Sequence, residues 1–320
     1  MGKRKHWNRV GINKMEMSRV SYSAIIIFLA VSCTDAAFTS QNPGQSRMTM
    51  VRFFAPETGT LDLCAFREDG SLDAHTRQSG AELTAELICG EPLRWWLVAN
   101  APEGLLDNVA TVDQMMDTEL LLESMNPDRP LMVGTGRDLF RDDSEKTVKM
   151  NNVSCKVSVG SLSPVFLDTG TPEPAEAYLD NVFLINASAS IPLSLRQSAD
   201  MLRNQDCLEP DLPEGLAVLL CKAVSMHLQG TETRNLDLSL YCFPNPLGST
   251  KLVLDLNIGG RKNYYPIPIP SMERNVEYHI DEIVLLGEGS PSPAIPVDRK
   301  AIACEVTVLP WNTVEKTCIM

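Results

Sequence analysis

The sequence predicts an all-β chain of two β-sandwiches, with one short helix inserted in the first. Three observations lead there. Apolar and polar residues alternate with a period of two through most of the apolar segments. Those segments are short, recur at roughly 8–12-residue spacing and stop at Gly, Pro, Asn or Asp. Strands do not alternate regularly with helices, which excludes a doubly wound sheet.

Residues 1–32 read as a secretory signal of the lipoprotein type. Lys3, Arg4, Lys5, Arg9, Lys14 and Arg19 precede an apolar run over 24–31, far short of the roughly 20 residues a membrane-spanning helix needs. A positive head on a short apolar body is the layout of a signal peptide. The order Ala30-Val31-Ser32-Cys33 resembles a bacterial lipobox, so Cys33 is the expected lipidation site, with cleavage before it. The alternative is an ordinary signal cut near Ala36 or Ala37. Initiation at Met15 or Met17 would give a head of more usual length. Residues 33–47 are small and polar, contain Pro43 and Gly44, and read as a tether or removable leader that ends at Arg47.

The first sandwich is expected over 48–145. "GTLDLCAFREDG" puts Leu61, Leu63 and Ala65 on one strand face, Asp62 and Cys64 on the other, and turns at Asp69-Gly70. "AELTAELICG" and "RWWLVAN" follow as strands. Adjacent Trp95 and Trp96 must then face opposite sides, one in the core and one half covered. "ATVDQMMDTELLLES" breaks the pattern. Thr111 and Gln114 form a capping box, and Val112, Met115, Met116, Leu120 and Leu121 recur at helical spacing, predicting a helix over 112–124. The charged "DDSEK" reads as an exposed connection, and the two halves join near 138–147.

The second sandwich is expected over 146–320. "TVKMNNVSCKVSV" resumes the two-residue period, and a proline- and acid-rich loop, "DTGTPEPAEA", precedes "YLDNVFLINAS". "SADMLRNQDCLEPDLPEG" suggests a short helix and an irregular loop. From residue 216 strands come thickly, beginning with "LAVLLCKAVSMHL". "TKLVLDLNIGGRKNYYPI" is a hairpin turning at Gly259-Gly260. Pro266, Pro268 and Pro270 fall on alternate positions, which suits only an edge strand.

The formal net charge of −13 argues against a nucleic-acid partner, because phosphate binding wants a basic face. Nine cysteines include eight after Cys33. Without a CxxC pair or zinc spacing they read mostly as small buried hydrophobes, with one or two disulfides open and no pairing assignable. His75, His227 and His279 are scattered, and no spaced nucleophile, base or metal set emerges. "VGTGRDLF" lacks the strand–GxGxxG–helix setting of a nucleotide site. We therefore expect no catalytic residues, metal or cofactor, and no enzyme.

"RWWLVANAP" entering a Met-rich helix, then "PLMVGTG" and "VKMNNVSCKVSV", resembles the N-terminal half of the Bacteroidales fimbrillins. "YCFPN", "TKLVLDLNIGGRKNYYPIPIP", "ERNVEYHIDEIVLLGEGSPSPAIPV" and "ACEVTVLPW" are similar to their C-terminal half, including Arg274-Asn275 before a Tyr-containing strand and the closing Pro310-Trp311. The match runs from about Met48 to Trp311. It departs at Asn152 and Cys155, where the family often has Arg and Ala. The resemblance implies two transthyretin-like β-sandwich domains, export as an outer-membrane lipoprotein held through Cys33, and assembly into surface fimbriae. It also implies a cut by an Arg/Lys-specific protease at Arg47, or alternatively Arg52, and partners that are other fimbrial subunits joined by strand exchange. A host or bacterial surface ligand is a further implied partner. The donor would be the tail "NTVEKTCIM" or the better-alternating "AIACEVTVL". The implied function is a structural subunit of a fimbria supporting adhesion. The alternatives are an anchor or tip subunit, or a surface glycan-binding lipoprotein.

Overall fold

Alternation in "MTMVRFF" turns Thr49, Val51 and Phe53 inward and Met50 and Arg52 outward, and the first half of the chain is built around that strand. The structure is a computed structural model that describes residues 47–56, 59–165, 176–194, 202–205 and 212–311. Along the first half lie β1 (Met48–Phe54), β2 (Thr60–Phe66), β3 (Leu72–Ser79), β4 (Glu82–Ile88) and β5 (Pro92–Ala99). Then come helix α1 (Val112–Asp117), β6 (Glu119–Leu121), a 3-10 turn (Leu122–Ser124), β7 (Met132–Leu139), β8 (Ser144–Thr147) and β9 (Asn151–Asn152). Two sheets result, ordered β4-β1-β8 and β3-β2-β5-β7-β9. Val51, Phe53, Leu63, Leu87 and Trp95 are among the side chains that fill the space between them. Each such burial contributes about 1.5–3 kcal/mol gross. Trp95 lies in this core, whereas Trp96 meets Phe66 edge-on across the other face of the sheet, as the alternation requires.

The charged "DDSEK" stretch is not the simple connection expected. Ser144–Thr147 pairs in parallel with β1, Val51 opposite Ser144 and Phe53 opposite Lys146. Its side chains are mostly exposed, as expected, but its backbone completes a ladder. Charged side chains on a short edge strand also discourage pairing with a foreign edge. Asn151–Asn152 in turn pairs with β7, so ladder bonds of this half extend to residue 152.

The second half runs β10 (Cys155–Ser163), β11 (Ala177–Ile185), β12 (Ala187–Ser188), β13 (Ser190–Pro192), β14 (Leu202–Arg203) and helix α2 (Glu214–Leu220). It continues with β15 (Cys221–Leu228), β16 (Arg234–Cys242), β17 (Lys251–Ile258), β18 (Arg261–Pro268), β19 (Val276–Leu285), β20 (Ile302–Cys304) and β21 (Thr307–Pro310). One sheet has the order β15-β11-β17-β18, and the other β16-β10-β19, with β20 and β21 both laid along the far side of β19. The hairpin turns at Gly259 and Gly260 with φ of 57° and 81°, the left-handed pair that a two-residue turn needs. Pro266 and Pro268 sit on β18, an edge strand.

Both helices differ from expectation. α1 has its cap, with Thr111 Oγ1 accepting the Gln114 N–H at 3.2 Å, and Gln114 Oε1 accepting the Ala110 N–H at 2.8 Å. It stops at Asp117 rather than 124 because Glu119–Leu121 is drawn into a ladder with β13. α2 replaces the start of an expected strand. Leu216, Leu219 and Leu220 are buried at i, i+3 and i+4, a helical stripe. The excursion from α1 to the 3-10 turn docks on the second half, with Leu122 N–H donating to Ala189 O at 2.8 Å. One apolar cluster therefore runs from Cys64, Phe66 and Val98 through Met115 and Leu122 to Val157, Leu254 and Ile280.

Candidate functional site

The start of β1 carries both arginines expected as cut sites, in unlike settings. Arg47 lies just outside the strand, its side chain 68% exposed and its Nη2 3.2 Å from Asp142 Oδ1. Its carbonyl accepts the Cys89 N–H at 2.7 Å, so the bond after Arg47 is held by the last rung of the β1–β4 ladder. Beyond it, Met50 N–H and Thr49 Oγ1 donate to Asp143 Oδ1 at 2.9 and 3.1 Å. These bonds, the Met50 amide foremost, hold the Asp143 carboxyl below the usual carboxylate range. Arg52 lies inside the three-stranded ladder, opposite Thr84 on one side and Glu145 on the other. Its guanidinium bridges Glu82 at 3.0 Å and Glu145 at 2.9 Å. A protease needs backbone it can pull free. Arg47 must give up one rung, whereas Arg52 would require the strand to leave the sheet. Cys33 lies outside the described residues.

The opposite end of the chain is an exposed edge. All four residues of β21 are exposed, Val308 at 55% and Leu309 at 39%. The strand pairs with β19 from Val276–Pro310 to His279–Thr307 and has no second strand partner among the described residues. Its end is fastened where Trp311 N–H donates to Asn275 O at 3.0 Å and the Trp311 ring lies 5.7 Å from that of Tyr241. The segment "AIACEVTVL" is thus two short edge strands, β20 and β21. The tail 312–320 lies outside the described residues.

A polar cluster, missed in the sequence, joins β10 to β19. Ser158 Oγ lies 2.6 Å from Glu277 Oε1 and 2.8 Å from His279 Nδ1. Lys156 Nζ lies 3.0 Å from Glu277, and His279 Nε2 4.0 Å from Asp281. Burial works against ionisation of Glu277, but the Ser158 hydroxyl and the Lys156 ammonium outweigh it and hold the carboxyl low. An ionised carboxylate only accepts, so the Ser158 hydroxyl donates to Glu277. Glu277 and His279 alternate along one strand, a weak clue, but Ser158 stands 119 positions from Glu277 and meets it only through parallel register.

The other histidines sit apart. His75 Nε2 lies 3.7 Å from the buried Asp62 Oδ1, and Arg77 Nη1 lies 3.1 Å from Asp62 Oδ2. Burial raises the Asp62 carboxyl, and Arg77 and His75 only partly pull it back. Arg77 also donates to Ala101 O at 2.9 Å, tying the loop after β5 to the sheet. His227 stacks on Tyr178 with ring centroids 4.7 Å apart.

No family model matches the chain, and no curated protein matches it. Solved structures share its fold. A "putative cell adhesion protein" from Bacteroides eggerthii aligns with a TM-score of 0.64 at 18% identity, covering 85% of this chain and 98% of that one. A second structure of that description, from Parabacteroides distasonis, gives 0.58 at 13% identity over 84% and 100%. A fimbrial assembly protein from Parabacteroides distasonis gives 0.51 at 13% identity over 82% and 99%. The protein is an all-β chain with the architecture of these Bacteroidales structures, the class of fold that the fimbrillin resemblance implies.

Proposed function

We propose that this chain is a fimbrillin-type subunit of a cell-surface fimbria that supports adhesion. In this reading it is exported as an outer-membrane lipoprotein through Cys33, matured by cleavage after Arg47, and joined to its neighbours by strand exchange. The observation that carries the reading is β21, an exposed four-residue strand at a sheet edge that has no further strand partner among the described residues. Such an edge can receive a neighbour's strand, or be released to serve as one, because main-chain hydrogen bonds supply the affinity in either case. The nine residues after Trp311 would extend a released strand by roughly 30 Å at about 3.3 Å per residue. One feature favours the alternative of an anchor or tip subunit. β1 is the central strand of its sheet and begins just after Arg47, so a cut there vacates only what precedes it.

The test is assembly in the protein's own host. Arg47→Ala with Arg52→Ala should leave uncut, membrane-held monomers, and deletion of residues 307–320 should leave cut subunits that do not join. Cys33→Ser should abolish labelling by palmitate. Long SDS-resistant polymers from the double arginine variant would exclude proteolytic strand exchange and move the anchor or tip reading ahead.

A further inference from the structure

Cys155 opens β10 and Cys242 closes β16, and the antiparallel register sets them directly opposite each other. Opposed residues in such a pair project to the same face with Cβ atoms about 4.5–5.5 Å apart. That range meets the Cβ separation of about 3.5–4.5 Å that a disulfide spans. Both are thiols in the structure, and both are wholly buried. Burial first, and then the Cys242 thiol within hydrogen-bond reach, push the Cys155 thiol well above its ordinary range. The Cys242 sulfur otherwise touches Met272 Sδ, at 3.7 Å.

The remaining described cysteines are set differently. Cys64 stands opposite His75 and Trp96, Cys221 opposite Phe183, and Cys304 opposite Ile283. Cys89 donates to the Arg141 carbonyl. Register therefore singles out one pair where sequence spacing offers none.

We propose that Cys155 and Cys242 are joined by a disulfide in the exported protein. The inference rests on the export reading above, since an oxidising compartment must supply the electron acceptor. One thiolate attacks the disulfide of a protein thiol oxidoreductase, forming a mixed disulfide. The second thiolate then displaces the oxidoreductase, which leaves as its dithiol. One sulfur–sulfur bond forms as the oxidoreductase's own breaks, and the two thiol protons and the electron pair pass to its departing dithiol. Once folded, both sulfurs are wholly buried and out of an oxidant's reach, so the bond forms before the sheet closes and is afterwards shielded from reductant. It fastens β16 to β10 on one flank of the sheet and leaves β20 and β21, on the other flank, uncrosslinked.

The full chain is denatured, reduced, and refolded either with mixed reduced and oxidised glutathione or with reductant alone. Free thiols are alkylated under denaturing conditions, and unreduced protease fragments are mapped by mass spectrometry. Glutathione refolding should give one linked fragment pair, containing residues 155 and 242, that resists reductant until the protein is unfolded. The linked form should melt several degrees above the reduced one, a comparison that needs no substitution. Reduced protein that is already folded should stay unlinked in the same buffer. Alkylation of both thiols after glutathione refolding, or linkage of either to another cysteine, overturns the proposal on geometry. A link that forms in the tube but is missing from envelope protein of the native host overturns it through its export premise. The polymer assay judges the fimbrial reading separately, because it does not depend on thiol state.

Discussion

Gly136 shows how one missing side chain shapes a core. It stands opposite Trp95 across β5 and β7, and a Cβ there would lie 2.3 Å from the indole. The indole has little room to retreat. It is 2% exposed, meets Phe53 edge-on at 5.5 Å, and donates to Asp138 at 2.7 Å. Gly136→Ala must push the ring off one of these contacts, at about 1–3 kcal/mol for overpacking. The expected outcome is a lower urea midpoint, and an unchanged midpoint would refute the packing argument. Glu277 gives a pH-dependent counterpart. Its carboxyl is held low when folded, so the folded state binds that proton less tightly than the unfolded chain does. The stability it contributes is present above the unfolded carboxyl's ordinary value and is lost as pH falls through the lower folded one. The advantage of the parent over Glu277→Gln should therefore be largest near neutral pH and shrink in acid, as urea titrations at the two pH values would read.

Individual elements differ in how plainly the sequence declares them. β1, β4 and the β17–β18 hairpin each bury alternate residues or turn at paired glycines, and both signals are local. β8 has no such signal. Its side chains are mostly exposed, and what makes it a strand is β1, whose Arg52 lies 93 positions before Glu145. The "TELLLES" stretch has helical spacing, yet Glu119–Leu121 satisfies its backbone against Ser190–Pro192 instead. Tertiary pairing overrides propensity there. Leu216, Leu219 and Leu220 suit a buried strand or a helix, since a short apolar run does not distinguish them. The candidate sites divide along the same line. Arg47 at the end of a polar leader is legible from its neighbours. Ser158 beside Glu277, and Cys155 opposite Cys242, exist only once strand register is set.

At the scale of the molecule, the apolar cluster through Met115 and Leu122 makes the two sandwiches interdependent. Neither half can open without exposing that shared surface, so both should unfold in one transition. With Trp7 and Trp311 replaced by Phe, fluorescence from Trp95 and Trp96 in the first half and far-UV circular dichroism from the whole chain should then trace coincident curves. Two resolved transitions would show that the halves are independent. The pairing of β1 with β8 has a consequence in time rather than in space. In the export reading the chain enters its compartment N-terminus first, so β1 arrives before β8, with the 93 positions from Arg52 to Glu145 between them. Throughout that interval one flank of the nascent strand has no mate, and Arg52 can find Glu82 but not yet Glu145. The chain thus carries its own clock, a window of vulnerability around its first strand that shuts when Ser144–Thr147 arrives.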